Sequence, residues 1–372
     1  MSNNSAASSN GGGHGTSPLF TWLLALVPIA FVLELMHVDP LIVFAVAALA
    51  IVPLAEWMRR GTEHVASHAG SAIGGLLNVS FGNAAELILA IFVLMNGNTA
   101  VVKATITGSI IGNSLLGLGL AILVGSWGRQ KLTFQANRAG LLGSLLILAV
   151  IALLLPALYD YTERAMAPRA DIVSLDQHLS LGVAIVLILV YIGNLVYTLR
   201  THKSEFEIAE PEDDGHTPWP LKKALGVLIL ATAAVALMAE IVSSALEHAA
   251  TSLGLSEFFI GLIVLPIIGN AAEYFSAIYY GRRNQMDMVM TIAVGATIQV
   301  AMMTAPLLVI LSYLIGHPMN LVFSNMLELA AIIGSAFAVN SIAQDGETTW
   351  FEGMMLLAVY ALLALSFFFV RV

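Results

Sequence analysis

Two glutamates stand in the same five-residue sequence, GNAAE, at 82–86 and 269–273, and both copies lie in otherwise apolar stretches. A carboxylate at the centre of a membrane-spanning helix costs roughly 2.5–3.5 kcal/mol on insertion scales. Acids that stay in a membrane despite this cost mark ion or substrate paths by default. Glu86 and Glu273 are therefore the residues whose type and setting first indicate chemistry.

The residues beside these glutamates add further oxygen atoms. Asn83 and Asn270 supply side-chain amides, and Gly82 and Gly269 loosen the helix just before each glutamate. Backbone carbonyls freed in this way are tolerated in a membrane only where they are buried in protein or line a polar cavity. Ca²⁺ prefers roughly six to eight such oxygen ligands. The chain contains no cysteine, so a thiolate metal site is excluded.

Other polar residues lie in the apolar stretches that follow the two motifs, and further acids lie elsewhere in the chain. The sequence predicts the polar ones as supporting ligands, and for Gln299 a hydrogen-bonding role between helices is equally favoured. For two of the acids, Glu63 and Glu247, a position at a solvated helix end is an equally good explanation. The predicted supporting residues are Ser109, Asn113, Thr297 and Gln299, and the predicted vestibule or secondary acids are Glu63, Glu247 and Glu328.

The two motifs belong to a longer internal repeat. Residues 55–70 align without gaps to 239–254, and residues 73–91 align to 260–278 at a constant offset of 187. The motif copies fall on predicted membrane spans 3 and 8, and a displacement of five spans reverses the chain direction through the bilayer. The sequence therefore predicts inverted repeats whose pseudo-two-fold axis brings the two glutamates together near the midplane.

Composition places the motifs in a polytopic membrane protein. The 372-residue chain is 58% hydrophobic and only 10% charged, whereas soluble chains carry about 25% charged residues. The net charge of −9 gives no reason to expect a nucleic-acid partner. Apolar windows of about 20 residues predict eleven spans. These lie near 19–37, 40–58, 65–96, 99–126, 139–158, 178–200, 221–247, 256–280, 285–315, 318–342 and 350–370.

The predicted fold is therefore all-α, with an extra first helix followed by two inverted five-helix repeats that are broken at the GNAAE motifs. Basic residues concentrate in the connections after even-numbered spans, which predicts a cytoplasmic N-terminus and a C-terminus on the opposite side. The predicted segments are a disordered tail at 1–18, the extra helix at 19–38, the first repeat at 39–200, an acidic cytoplasmic linker at 201–220 and the second repeat at 221–372.

The paired carboxylates also suggest a source of energy for transport. They can hold either a divalent cation or protons, and each ion would expel the other. Combined with alternating access, this mutual exclusion is antiport. The chain has no GxxxxGK[ST] phosphate loop, and no HExxH or GxSxG sequence typical of a hydrolase. We therefore expect a transporter that is not an enzyme and has no cofactor, with the cation and protons as its substrates.

The motifs and their surroundings resemble a known family. The GNAAE pair, the upstream sequences IGGLLN and IGLIVLP, and QDGETTWFEG at 344–353 are similar to the Ca²⁺/H⁺ exchangers of the cation/Ca²⁺ antiporter superfamily. The resemblance covers the chain after residue 20 and implies eleven helices with an acidic segment between the halves. The site residues it implies are Glu86 and Glu273, with Asn83, Asn270, Asn113 and Gln299 nearby and upstream acids at Glu63 and Glu247.

Two positions depart from the family pattern. Tyr274 follows the second motif glutamate, where the family often has histidine, and Ala296 stands where it often has serine. Ion selectivity and pH response are therefore left open. The predicted function is export of Ca²⁺ from the cytoplasm in exchange for protons, across a prokaryotic inner membrane or an organelle membrane. The alternatives are a Na⁺-driven or Mn²⁺-selective exchanger of the same fold and a passive cation channel, and the oligomeric state is left open.

Overall fold

The structure, a computed structural model, consists almost entirely of helices. In the part of the chain that it describes, one short antiparallel ribbon pairs Leu132–Thr133 (β1) with Glu347–Thr348 (β2). The predicted N-terminal tail and nearly all of the predicted acidic linker lie outside the described residues. The described residues are 18–166, 172–201, 219–323 and 325–370.

The first half of the described chain forms eight α-helices, with π-helical turns after the fifth and the eighth. The π-helical turns are Gly112–Gly117 and Tyr197–Thr201. The helices are α1 Pro18–Leu23, α2 Leu26–Leu35, α3 Pro40–Phe81, α4 Ala84–Met95, α5 Thr99–Ile111, α6 Leu118–Gly125, α7 Ala136–Met166 and α8 Ile172–Val196.

The second half also forms eight described α-helices. Its π-helical turns are Ile260–Val264 and Val300–Thr304. The helices are α9 Leu221–Leu253, α10 Glu257–Phe259, α11 Leu265–Gly269, α12 Ala271–Arg282, α13 Met286–Gln299, α14 Ala305–Ile315, α15 Met326–Asp345 and α16 Trp350–Phe368.

The spans of the structure differ from the predicted eleven in two places, at the predicted first span and at α3 with α4, because Phe20–Leu35 and Ala84–Met95 are apolar helices shorter than 18 residues. Among the described residues, eight helical segments are long and apolar enough to cross a membrane, and a ninth is obtained if the bent segment from α10 to α12 counts as one span. The predicted connection at 59–64 is wrong, because α3 continues through it. Glu56 pairs with Arg59 and Arg60, three and four residues further on, and this spacing stabilises a helix.

The turn between predicted spans 2 and 3 lies further along α3. A Cβ added at Gly74 would lie 2.5 Å from the Ala66 carbonyl oxygen. Eight residues of straight α-helix cover about 12 Å along the axis, so α3 bends sharply between these two residues. The bend brings the first GNAAE motif back toward the helices that follow it.

Both motifs interrupt a helix in the same way. Asn83 has φ −101° and ψ 24°, and Asn270 has φ −100° and ψ 11°. The segment Glu257–Gly269 is bent by 54° relative to α12 across Asn270. The next helix starts at the first alanine of each motif, so Glu86 and Glu273 both stand in a first helical turn. The positive end of the helix dipole favours a carboxylate there.

The helices after the two motifs begin at positions that correspond in the sequence repeat. In both halves the second of these helices leads, through a π-helical turn, into the third. The repeated sequence thus forms repeated local structure. The corresponding first residues, each pair 187 apart, are Ala84 and Ala271, Thr99 and Met286, and Leu118 and Ala305.

Glycines allow helices of the two halves to come into backbone contact. A Cβ at Gly108 in α5 would lie 1.9 Å from the Leu262 carbonyl oxygen, and a Cβ at Gly125 would lie 2.6 Å from the Gly281 carbonyl oxygen. Small residues at such crossings are a general device of membrane helix packing. These contacts hold α5, which carries Ser109, and α6 against the second half of the chain.

We expect Gly108→Ala to destabilise the protein, because its methyl group would overlap the Leu262 carbonyl, and overpacking of this kind costs about 1–3 kcal/mol. Gly295→Ala is the matched control, since position 295 corresponds to 108 in the repeat and an added Cβ there meets nothing within 4 Å. The melting temperature of the detergent-solubilised protein should fall only for Gly108→Ala. Equal melting temperatures for the two variants would contradict the close crossing.

Candidate cation-binding site

Glu86 is enclosed by the broken helix of the opposite half. Its side chain is 2% exposed, and a Cβ added at Gly269 would lie 3.4 Å from the Glu86 Cβ. Ser109 Oγ on α5 donates a hydrogen bond to Glu86 Oε1. Glu86 Oε2 is buried without a hydrogen-bond partner in the described structure. Because an unpaired buried charge is costly, this oxygen requires a proton or a cation.

The hydrogen bonds around Glu86 continue into the second motif. Asn270 Nδ2 donates to Ser109 Oγ at 3.2 Å and to the Pro266 carbonyl oxygen at 3.0 Å. Asn270 Oδ1 accepts from Asn113 Nδ2 at 3.2 Å. Asn113 Oδ1 is buried and has no hydrogen-bond partner among the described groups. The second motif asparagine therefore orients residues that belong to the first half.

The first motif makes a corresponding contact with the second half. Asn83 Nδ2 donates to the Ala296 carbonyl oxygen at 3.4 Å. The neighbouring Thr297 donates to the Ala293 carbonyl oxygen at 2.8 Å and lies 3.2 Å from Ser114 Oγ. Each motif asparagine thus donates a hydrogen bond to the second helix after the other motif, Asn83 to α13 and Asn270 to α5. Thr297 takes part in this contact between helices, and it does not line the cavity beside Glu273.

Glu273 faces a cavity of about 460 Å³ formed between α3, α7, α8, α12 and α13. Its Oε2 atom is buried and lacks a hydrogen-bond partner within the described residues. Glu273 stands four residues after Gly269, whose backbone lies against Glu86, so both motif glutamates lie at the break in the second motif, although only Glu273 lines the cavity. The predicted site residues that line this cavity are Glu63, Gly82, Asn83, Glu273 and Gln299.

Charged side chains surround another part of the cavity. Arg59 and Glu63 both line it and form an ion pair four residues apart on α3. Arg59 Nε also donates to Glu56 Oε2 at 2.9 Å. The Glu63 side chain is 47% exposed, so this acid is partly solvated where it lines the cavity.

Two predicted acids lie elsewhere. Glu247 is exposed on α9 and does not line the cavity. Glu328 is buried in the first turn of α15, where its side chain accepts hydrogen bonds from the Asn325 backbone N at 3.2 Å and from Thr107 Oγ1 at 2.9 Å. The bond from the Asn325 backbone belongs to a capping box at the start of α15, and the bond from Thr107 joins Glu328 to α5. Glu328 therefore stabilises the start of a helix.

Sequence reasoning assigned no role at the site to Ser114 or Arg59, and treated Tyr274 only as a departure from a family pattern. It expected Pro266 to break a backbone bond near the second motif, but not its carbonyl group as the acceptor for Asn270, because a backbone acceptor leaves no signal in residue type. Arg59 was placed in a connection, although its spacing of four from Glu63 is a helical signal. Tyr274 directly follows the motif glutamate Glu273. This adjacency was the sequence signal that Tyr274 lies near the motif.

The site offers a mixed set of oxygen atoms. Among the described residues, no three His, Asp or Glu side chains are grouped so that they alone hold a metal ion. The unpartnered buried oxygens are two from carboxylates, Glu86 Oε2 and Glu273 Oε2, and one from an amide, Asn113 Oδ1. Hard cations such as Ca²⁺ take carboxylate, amide, carbonyl and water oxygens together, so this donor set suits such a cation.

Comparison with solved structures supports the same architecture. The structure of native YfkE has a TM-score of 0.80 to this chain at 37% identity and covers 94% of this chain and 100% of that one. The crystal structure of the H+/Ca2+ exchanger CAX has a TM-score of 0.69 at 16% identity, covering 94% of this chain and 91% of that one. At 16% identity, the comparison with CAX shows a shared fold and no more.

Sequence comparison identifies the family. The Ca(2+)/H(+) antiporter of Aphanothece halophytica is 42% identical over 94% of this chain and 96% of that protein. The Ca(2+)/H(+) antiporter ChaA of Bacillus subtilis is 39% identical over 94% of this chain and 98% of that protein. The family model for sodium/calcium exchanger proteins matches residues 40–200 and 223–369. The chain therefore belongs to the sodium/calcium exchanger protein family.

Proposed function

We propose that this chain exchanges Ca²⁺ for protons across a membrane, and that Glu86 and Glu273 bind either the cation or the protons. The observation that carries the proposal is the pair of motif carboxylates, each with one buried oxygen that lacks a hydrogen-bond partner in the described structure. The relatives named Ca(2+)/H(+) antiporters, at 39–42% identity over almost the whole chain, support the choice of ions.

Ca²⁺ binding would use the oxygens that the folded chain leaves unpaired. Glu86 Oε2, Glu273 Oε2 and Asn113 Oδ1 supply three of them, and Asn83 and Gln299 line the adjoining cavity. Water in the cavity would complete a shell of about six to eight oxygens. Ser109 and Asn270 orient the carboxylate and amide groups and thereby reduce the rearrangement needed for binding.

Proton coupling follows from the charge of the empty site. Two nearby carboxylates repel each other in a medium of low dielectric constant, so the pair binds protons when no cation is present. Ca²⁺ can enter only as these protons leave, and protonation removes the charge that holds Ca²⁺. A site that is exposed to one side of the membrane at a time therefore couples the two fluxes.

We further propose the eleven-helix, inverted-repeat organisation predicted from the sequence as the basis of alternating access. The corresponding helix starts at Ala84 and Ala271 support the repeat, as do the reciprocal contacts of Asn83 and Asn270 with α13 and α5. The bend of α3 between Ala66 and Gly74 divides that helix into two segments, as the eleven-helix fold requires.

The cavity would face the cytoplasm in this structure. Arg59 and Arg138 line it, and basic residues concentrate on the cytoplasmic side of membrane proteins. The N-terminus would then be cytoplasmic and the C-terminus on the opposite side, in an inner or organelle membrane. Ca²⁺ would enter the cavity from the cytoplasm, reach Glu273 first, and be exported in exchange for entering protons.

In proteoliposomes with an imposed pH gradient, we expect wild-type protein to take up ⁴⁵Ca²⁺, and Glu86→Gln and Glu273→Gln to reduce the rate more than about tenfold, since a hydrogen bond or ion contact to a charged group is worth at least that factor. Glu328→Gln is the matched control, because it is also a buried first-turn glutamate and glutamine preserves a capping box. Uptake that is independent of the pH gradient and depends on a Na⁺ gradient would contradict proton coupling. Unchanged exchange rates in both motif variants would contradict the assignment of Glu86 and Glu273 to the site.

Protons on the Ca²⁺-entry side should act as competitive inhibitors. We expect the apparent KM for Ca²⁺ to rise as pH falls on that side, by up to about tenfold per pH unit for each proton that competes, while the maximal rate at saturating Ca²⁺ is retained. Initial rates measured over a matrix of pH and Ca²⁺ concentration check this. A maximal rate that falls while KM stays constant would show that protons act outside the cation site.

The lack of cysteine in the chain permits a direct test of sidedness. In inside-out vesicles, a membrane-impermeant thiol reagent should label Ser276→Cys, which lines the cavity, and Ca²⁺ should slow the reaction. Thr297→Cys is the control, since Thr297 is fully buried outside the cavity. Labelling of position 276 only in right-side-out vesicles would reverse the proposed orientation.

A further inference from the structure

Tyr274 occupies a slot formed by two glycines of the opposite half. A Cβ added at Gly112 would lie 2.5 Å from the Tyr274 hydroxyl oxygen, and a Cβ added at Gly117 would lie 2.7 Å from ring atom Cδ1. The side chain is 7% exposed. Any larger residue at either glycine position would overlap the ring or its hydroxyl group, so the slot fits this side chain closely.

The slot depends on the π-helical turn Gly112–Gly117. In an α-helix with about 3.6 residues per turn, residues five apart point about 140° away from each other. A π-helical turn closes i to i+5 hydrogen bonds and brings residues five apart onto one face. The widened turn therefore places Gly112 and Gly117 along the same side, where the ring of Tyr274 lies across both.

The Tyr274 hydroxyl group lies beside the residues that hold Glu86. Gly112, which it touches, is three residues after Ser109 on the same helix, and residues at this spacing are neighbours about 5–6 Å apart on one face. Ser109 donates to Glu86 Oε1. The phenol therefore lies about one helical turn from the residue that holds Glu86.

This hydroxyl group is an unused donor among unused acceptors. Tyr274 Oη is buried without a hydrogen-bond partner in the described structure, as are Glu86 Oε2, Glu273 Oε2 and Asn113 Oδ1. Buried hydroxyl groups of tyrosine normally find a partner. A donor and several acceptors left unpaired in one region indicate a site that completes its hydrogen bonds at another step of its cycle.

We propose that Tyr274 is a positioning residue of the exchange site: its ring, held between Gly112 and Gly117, fixes the helix that carries Glu273, and its hydroxyl group donates a hydrogen bond to the Glu86 carboxylate in the charged site. This inference rests on the proposed Ca²⁺/H⁺ exchange. The bond favours the charged form of Glu86, so it helps Ca²⁺ to displace protons. The phenol keeps its proton while it donates this bond, so Tyr274 does not compete with Glu86 for the transported protons.

Tyr274→Phe tests the proposal, since it keeps the ring and removes only the donor. We expect the apparent KM for Ca²⁺ at pH 7 to rise about threefold to tenfold, the effect of losing one hydrogen bond, and the acidic limb of the pH–rate profile to move to higher pH. The melting temperature should stay unchanged. Thr304→Val is the matched control, because Thr304 is another buried residue whose hydroxyl group has no partner in the described structure and it does not line the cavity.

Gly112→Ala provides a second and independent variant. Its methyl group would displace the Tyr274 hydroxyl group while leaving the phenol in the chain, so we expect the same direction of change in KM and pH profile. If Tyr274→Phe fails to fold, the KM and pH profile of Gly112→Ala test the proposed role of Tyr274.

The outcomes separate this inference from the proposed function. If wild-type protein shows no uptake driven by the pH gradient, the exchange function itself fails. If wild-type protein exchanges, and Tyr274→Phe or Gly112→Ala matches it in both KM and pH profile, the role of Tyr274 is wrong. An equal change in KM for Thr304→Val would show a general effect of removing buried hydroxyl groups, and would also overturn the proposal.

Discussion

Burial of the Glu86 carboxylate is the constraint on which the rest of the structure depends. A charge taken out of water must be compensated by donors or by a counterion, and the donors come from both halves of the chain. Ser109 belongs to the first half, and Asn270, which orients Ser109, belongs to the second. The site therefore exists only when the two halves are packed together, and the glycine crossings make that packing close enough.

The same constraint explains the broken helices. A continuous helix would keep its carbonyl groups in internal hydrogen bonds, and each glutamate would then lie in the middle of a helix. The interruptions at Asn83 and Asn270 change the helix direction, start a new helix and place each glutamate in its first turn. In this structure, one carboxylate lines the cavity and the other is enclosed, which is the difference in access that an alternating mechanism needs.

Sequence reasoning identified the two glutamates and their asparagines because a duplicated charge in an apolar segment has few explanations. Ser109 was also predicted, since it is polar and follows the motif in the next helix. The course of α3 was predicted wrongly, because Arg59 and Arg60 resemble a loop in a hydropathy window but pair with Glu56 on a helix. The Tyr274 slot was missed, because a π-helical turn has no recognised residue pattern and the contact joins positions more than 150 apart.

The slot for Tyr274 has a consequence for the energetics of the cycle, since it occurs in one half only. The residue 187 positions before Tyr274 is Leu87, and the counterparts of Gly112 and Gly117 are Gln299 and Thr304. Halves of identical sequence would give inward-facing and outward-facing conformations of equal free energy. Here the ring and its glycines stabilise one arrangement without an equivalent in the other. In the proposed alternating-access cycle, the two conformations therefore differ in free energy without ions, and an ion shifts their populations only by its difference in affinity for the two.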